Sequence, residues 1–244
     1  MNNINTVTKI GIIGRGKWGK KVIEVLRKNF EIKYIVGKDT NYKKLVKKID
    51  WVFILTPNAT HYKLCKFFLK SKINVFCEKP LTNSIKQANN LYKLSSKNKV
   101  NLYVDDIEIF KNKKIKLKNT NSIIRTKNDS GTNHSLFERL CYHDLYILYK
   151  YIKNKKLKKI TFLKNDNLGF KLDFENIIFN FFYSINSKTK THKINNYNFL
   201  KFRGNPLKKM ILNLKKKLNF NENRKRSLFA LRLMLKLKSS YKKR

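Results

Sequence analysis

Two short stretches carry residue types that could do chemistry. Glu78-Lys79-Pro80 follows the apolar run 73–77 (INVFC), so a carboxylate and an ammonium stand at the end of a predicted strand, with proline fixing the turn and a cis peptide in prospect. His143-Asp144-Leu145 lies on a predicted helix, residues 136–151 (LFERLCYHDLYILYKY). There an imidazole beside a carboxylate is either a proton-transfer pair or a half-buried polar pair, and the residues alone leave both readings open. An ammonium next to a reacting oxygen would steady developing negative charge. A histidine, with an unperturbed pKa of about 6.5, would accept a proton at neutral pH.

These groups need a scaffold, and its first element is the stretch KIGIIGRGKWGKKVIEVL, residues 9–26. Ile10, Ile12 and Ile13 form a strand-like run. Gly14-Arg15-Gly16-Lys17-Trp18-Gly19 breaks it, and apolar residues resume at helical spacing from Val22 to Leu26. A G-x-G-x-x-G between strand and helix is the pattern that binds a dinucleotide. Gly14 permits the turn, Gly16 lets a diphosphate reach the backbone, and Gly19 lets the helix pack on the strand, with the helix-start amides attracting the anion.

A second strand is predicted at 31–36 (EIKYIV), followed by Gly37-Lys38-Asp39. Asp39 takes the ribose hydroxyls and favours NAD, or Lys38 meets a 2′-phosphate and favours NADP, or both are solvated turn residues; the sequence leaves the choice open. The continuous apolar run 50–55 (DWVFIL) suits a parallel strand covered on both faces, and it ends at Thr56-Pro57-Asn58. His61 falls in the first turn of the next helix, as a cofactor-side group or a structural one. A helix at 84–96 and a strand at 101–105 (NLYVD) continue the alternation, which predicts right-handed crossovers and a doubly wound parallel sheet.

From about residue 119 the alternation stops. Strand-like runs at 159–163, 170–174, 177–185 and 197–202 predict an antiparallel or mixed sheet, followed by helices at 205–219, with Met210, Leu214 and Leu218 as one stripe, and at 225–237. The fold expected is α/β: a Rossmann-like dinucleotide-binding domain at 1–118, and at 119–244 an α+β domain on an open, mostly antiparallel sheet, its C-terminal helices packing back on the first.

Composition narrows the class. The net charge of +42 suggests nucleic acid or an anionic membrane, but of the 57 basic residues only 9 are Arg and 48 are Lys, while Ala numbers 3. Arg is the better phosphate fork, and Lys, Asn and Ile share A/T-rich codons, so base composition accounts for much of the pattern. No specific nucleic acid and no membrane are expected as partners. No apolar run approaches the roughly 18 residues of a span, and a cytoplasmic location is the expectation. Cys65, Cys77 and Cys141 are widely spaced without a CxxC, so neither a disulfide frame nor a zinc site is expected.

GIIGRGKWG, ILTPNATH and NVFCEKPLTNS, in that order, resemble the Gfo/Idh/MocA oxidoreductases, the family of glucose–fructose oxidoreductase and inositol dehydrogenase, over residues 9 to about 105. The resemblance implies NAD or NADP as cofactor, held by Gly14, Gly16, Lys17, Trp18, Gly19, Lys38 or Asp39, Thr56, Pro57, Asn58, His61, Glu78, Lys79 and Pro80. It implies hydride transfer at a carbinol or carbonyl carbon of a sugar, sugar nucleotide or cyclitol, with Lys79 near both substrate and nicotinamide. His143-Asp144 matches the family's His-Asp near the active site, His143 as base. The family usually has an acid four residues before that His. Here Arg139 holds that position and Glu138 lies one further back, so either the backbone shifts to bring Glu138 round or the acid is lost. Asp144 or Glu138 would orient the imidazole. The family also uses its second sheet for a partner subunit, and the run IIFNFFYSI, apolar on both faces, makes a homo-oligomer the expectation.

Overall fold

The computed structural model describes residues 8–37, 41–46, 48–111, 115–128, 136–163, 168–214 and 219–243. Two compact units emerge. The first holds the described residues up to Ile107 together with Asn205–Leu228, and the second holds those of Glu108–Gly204 and from Phe229 onward.

The first unit is built on β1 (Lys9–Ile13), α1 (Lys17–Arg27), β2 (Glu31–Val36), β3 (Trp51–Ile54), α2 (Asn58–Lys70), β4 (Asn74–Cys77), α3 (Ile85–Lys97) and β5 (Leu102–Val104). All neighbouring strands pair in parallel, in the order β2-β1-β3-β4-β5. β3 and β5 are buried at every residue, which is why their sequences read as unbroken apolar runs. Phe53, Phe76 and Tyr103 are register partners on adjacent strands and stack at centroid distances of 4.6 and 5.8 Å.

The chain runs outward from β1 to β2 and then returns to the other side of β1 with β3. This reversal opens a crevice at the carboxyl ends of β1 and β3, where ligands of open α/β sheets bind. Register decides what reaches that edge. Ile13 pairs with Ile54, Ile54 with Cys77 and Cys77 with Val104, so Gly14, Leu55-Thr56, Glu78-Lys79 and Asp105-Asp106 all emerge at one level.

The second unit continues with β6 (Thr120–Asn128), a π turn (Phe137–Cys141), α4 (Tyr142–Ile152), β7 (Leu157–Phe162), β8 (Leu168–Phe174), β9 (Ile177–Ser184), β10 (Asn186–Ile194) and the short β11 (Tyr197–Asn198). The sheet order is β11-β10-β6-β9-β8-β7; β6 and β9 pair in parallel and the other neighbours are antiparallel. The predicted strand at 197–202 is corrected: after Asn198 the side-chain oxygen of that residue accepts from Leu200 N–H at 2.9 Å, and Phe199–Lys201 coil into a 3₁₀ turn.

Two helices follow, α5 (Pro206–Asn213) and α6 (Phe220–Lys242), the latter with residues in both units. Leu218, one member of the expected stripe, lies outside the described residues. Asn223 on α6 completes the exposed edge of β5, accepting from Val104 N–H at 3.0 Å and donating to Val104 C=O at 2.8 Å. Among the described residues no helix is long and apolar enough to cross a membrane.

Candidate active site

The glycine turn starts where β1 stops. Gly14 has φ +101°, its N–H donates to Val36 C=O at 3.0 Å, and a Cβ there would meet the Leu55 carbonyl oxygen at 2.5 Å. A Cβ on Gly16, by contrast, would meet nothing within 4 Å. Gly16 is the N-cap of α1, makes no side-chain cap bond and is followed by no acid in the first turn. The helix therefore presents uncapped amides beneath open space, which suits a diphosphate. Gly19 lies where a Cβ would be 2.6 Å from the Gly14 carbonyl oxygen, so its contribution is close packing. Trp18 Nε1 is buried without a hydrogen-bond partner, and Lys17 is exposed. Lys38 and Asp39 lie outside the described residues.

The loop after β3 is held by its own hydroxyls. Thr60 Oγ1 donates to Pro57 C=O at 2.8 Å, so in the 2.6 Å contact between Thr56 and Thr60 the proton belongs to Thr56. Asn58 Nδ2 donates to Asn83 Oδ1 at 2.6 Å, while Asn58 Oδ1 is buried with no partner. Two such orphans beside the crevice, Trp18 Nε1 and Asn58 Oδ1, fit a site whose polar complement comes with a ligand. His61 is 1% exposed, with Nδ1 2.9 Å from the Pro80 carbonyl oxygen and Nε2 2.8 Å from that of Thr56. It ties the loop after β3 to the loop after β4, so its position in the structure is that of a strut.

The Lys79–Pro80 peptide is cis, and Lys79 N–H donates to Glu78 Oε2 at 3.0 Å. Behind this turn the structure adds a residue that the sequence reading passed over. Asp105, at the end of β5, is 4% exposed and accepts from Ile107 N–H at 2.9 Å. Burial, then the charge of Glu78 and a hydrogen bond to it, push the Asp105 carboxyl well above its usual range. Held as the acid, Asp105 can donate its proton to the hydrogen bond with Glu78. The available signal was an acid placed directly after an apolar strand at the sheet's carboxyl edge.

Asp106 accepts from the Tyr103 hydroxyl, from Arg226 Nη1 at 3.0 Å and from Asn223 Nδ2 at 3.3 Å, anchoring α6 to the strand end. Burial pushes its carboxyl up to about 6, against the Tyr103 hydrogen bond and the Arg226 charge. A folded-state value above the unfolded one of about 3.9 means that the folded form holds the proton more tightly. The group's contribution to stability is then complete below about pH 4 and declines as pH rises toward 6. Asp106→Asn is expected to flatten that slope, by something on the order of 1–3 kcal/mol between pH 4 and 7 in urea unfolding. Parallel curves for the two proteins would assign the slope to other groups.

In the second unit the candidate residues sit on the π turn and α4. Tyr142 N–H donates to Phe137 C=O five residues back. A π turn takes one residue more than an α turn, so Glu138 and His143, five apart, stand one turn from each other, as residues four apart do in an α-helix. The backbone shift that would bring Glu138 round is therefore present. Glu138 itself is buried and ion-paired with Lys238, and His143 is half-buried.

Asp144, one of the two acids expected to orient the His143 imidazole, is engaged by a second histidine. Asp144 is fully buried, and its Oδ1 accepts from His192 Nε2 at 2.7 Å and lies 3.5 Å from Arg125 Nη1. Arg125 Nη2 donates to Glu108 Oε1 at 2.9 Å, and Lys111 Nζ is 2.6 Å from Glu108 Oε2. Burial tends to raise the Glu108 carboxyl, but the charges of Arg125, His192 and Lys111 outweigh it and hold it at about 2. Burial, helped by Arg125, lowers His192 despite Asp144. The carboxyl groups of Glu108 and Asp144 thus face one guanidinium and one ammonium, with the His192 imidazole between them. Adjacent positions on an α-helix face about 100° apart, which is why Asp144 turns inward to this cluster while His143 stays nearer the surface.

The first unit has the architecture of a dinucleotide-binding Rossmann domain, and the second is a mixed-sheet domain. Residues 24–106 match the Gfo/Idh/MocA family model, described as an oxidoreductase family with an NAD-binding Rossmann fold, so the resemblance read from the motifs is borne out over that segment. A 55-residue stretch is 38% identical to the uncharacterized oxidoreductase YgjR of Escherichia coli, covering 22% of this chain and 17% of that protein's length. The structure of UDP-N-acetylglucosamine 3-dehydrogenase GnnA from Acidithiobacillus ferrooxidans is similar over 95% of this chain and 96% of that one, with a TM-score of 0.82 at 12% identity. The dehydrogenase MviM from Clostridium difficile is similar over 96% and 99%, with a TM-score of 0.77 at 19% identity. At these identities the likeness to solved structures is one of fold.

Proposed function

We propose that the protein is an NAD(P)-dependent oxidoreductase that transfers a hydride between the nicotinamide and a hydroxyl-bearing or carbonyl carbon of a sugar, sugar nucleotide or cyclitol. The observation that carries the reading is the shared edge of the parallel sheet, where an uncapped helix start beside Gly16 and the Glu78-Lys79-Pro80 turn emerge at one level. The amides of residues 16–18 would hold the diphosphate, and Thr56–Asn58 with Glu78–Pro80 would line the nicotinamide half. When bound, the dinucleotide supplies the hydride acceptor or donor. Lys79 contributes a positive charge at the substrate oxygen, steadying the alkoxide that forms as its proton leaves. His143 would take that proton, with Glu138 one turn away to orient the ring. UDP-N-acetylglucosamine dehydrogenase, named among the similar structures, supports the sugar-nucleotide choice.

A homo-oligomer through the outer face of the second sheet belongs to the same reading. On that face Ile124 is 37% exposed, its register partner Phe182 is half-buried, and Ile178 is half-buried as well. One observation favours a second reading, a non-catalytic NAD(P)-binding regulator: both acids expected at the substrate, Asp144 and Glu138, are engaged in internal ion pairs, with Arg125 and Lys238.

Thermal denaturation with NAD, NADP and a panel of sugar nucleotides tests the proposal. A dinucleotide at about 100 times its Kd should stabilise the fold by roughly 2.7 kcal/mol, raising the melting temperature by several degrees, with a further rise from the right sugar nucleotide. A shift with dinucleotide alone, and no hydride transfer to any sugar, would favour the regulator; no shift with any dinucleotide would end both readings.

A further inference from the structure

We infer that Arg15 and Gly37 select NADP(H) over NAD(H), the Arg15 guanidinium reading the 2′-phosphate; the inference rests on the dinucleotide reading above. β2 ends at Val36, which pairs with Ile13 of β1 and accepts the Gly14 N–H, so Gly37 is level with the glycine turn. The adenosine ribose of a dinucleotide lies at this point of the fold, beyond the end of β2. A NAD site places an acid there to bind the ribose hydroxyls, and this chain has a residue without a side chain.

The space is occupied from the other side. A Cβ on Gly37 would lie 3.5 Å from Arg15 Nε and 3.9 Å from its Cζ and Nη2, so the guanidinium is laid across the glycine. Arg15 is exposed, as a reader of an incoming phosphate must be, and its planar fork matches phosphate oxygens in pairs. An aspartate at position 37 would neutralise the guanidinium and repel a dianion. Glycine leaves the charge available, and Lys38 follows it in sequence with a second cation. The competing acid is Asp39, two residues further on, and the test includes it.

Gly37 is suited to substitution, because the contacts a Cβ would make there are ordinary van der Waals distances and its φ lies outside the positive region. NADH and NADPH are titrated by nicotinamide fluorescence against the full chain and against Arg15→Gln, Gly37→Asp and Asp39→Asn. ADP and adenosine 2′,5′-bisphosphate are compared by thermal shift. The wild type is expected to bind NADPH at least about tenfold more tightly than NADH, a preference of roughly 1.4 kcal/mol. Arg15→Gln should bring the ratio to about one and Gly37→Asp should invert it, with the bisphosphate losing its advantage over ADP in both. An unchanged ratio in Arg15→Gln overturns the inference. So does a wild type that prefers NADH and loses that preference in Asp39→Asn; there the dinucleotide reading survives. Binding of neither dinucleotide overturns the inference together with the reading beneath it.

Discussion

Lys79→Ala is expected to lower kcat by about 10²–10³, with the dinucleotide Kd changed by no more than about twofold. The separation of the two effects follows from where the residue stands. The anchors proposed for the diphosphate belong to the turn after β1, whereas Lys79 follows β4, two strands away in the sheet order. Its backbone N–H makes the bond to Glu78 Oε2, and the variant keeps that bond. What it loses is a cation acting on an oxygen whose charge grows as the proton leaves, an interaction stronger in the transition state than before it. Steady-state turnover and a fluorescence titration, made on the same preparations, check both halves. Undiminished turnover would remove Lys79 from the chemistry; a lost Kd with intact melting temperature would make it a cofactor anchor instead.

The first unit was legible because its signals are contiguous. A glycine turn, a buried parallel strand such as WVFI and a strand-end Glu-Lys-Pro each fit within a dozen residues, and a parallel sheet covered on both faces leaves unbroken apolar runs. The second unit hid its centre. β6 (TNSIIRTKN) buries Asn121, Arg125 and Thr126 among its inward residues, and β10 (NSKTKTHKI) buries only His192 and Ile194, so neither carries an apolar alternation that marks a strand.

The cluster those strands bring together was unreadable for the same reason. Arg125 is 17 residues from Glu108, and His192 is 48 from Asp144, distances at which no local periodicity operates. Asp144 was found as a candidate, but its bond to His192 was not legible, since neighbouring positions on a helix face about 100° apart and the partner lies on a distant strand. The extra residue between Glu138 and His143 could be read from the sequence; the π turn that absorbs it could not.

Arg125→Met is expected to cost about 3–5 kcal/mol of stability, a large part of what a domain of this size has. Methionine fills similar volume, so the loss would be electrostatic. It leaves two carboxylates, Glu108 at 7% exposure and Asp144 fully buried, without the guanidinium that bridges them. The sign of the pH dependence follows. In the wild type Glu108 is held at about 2, below the ordinary range, so its contribution is present above about pH 4.5 and is lost only as pH falls through 2. Without Arg125, burial acts on Glu108 unopposed by that charge, and its folded-state value rises. The penalty should then be greatest at pH 7 and shrink toward pH 4, as Glu108 takes up a proton and ceases to be a buried charge. Urea unfolding at pH 4, 5.5 and 7 checks the trend. The triple variant Arg125→Met, Glu108→Gln, Asp144→Asn removes the charges together and should recover much of the loss at pH 7, because the cost lies in unpaired charge and not in the missing contact. A penalty under about 1 kcal/mol, or one that does not change with pH, would mean that water already screens the cluster and that the ion pairs do not hold the second sheet to α4.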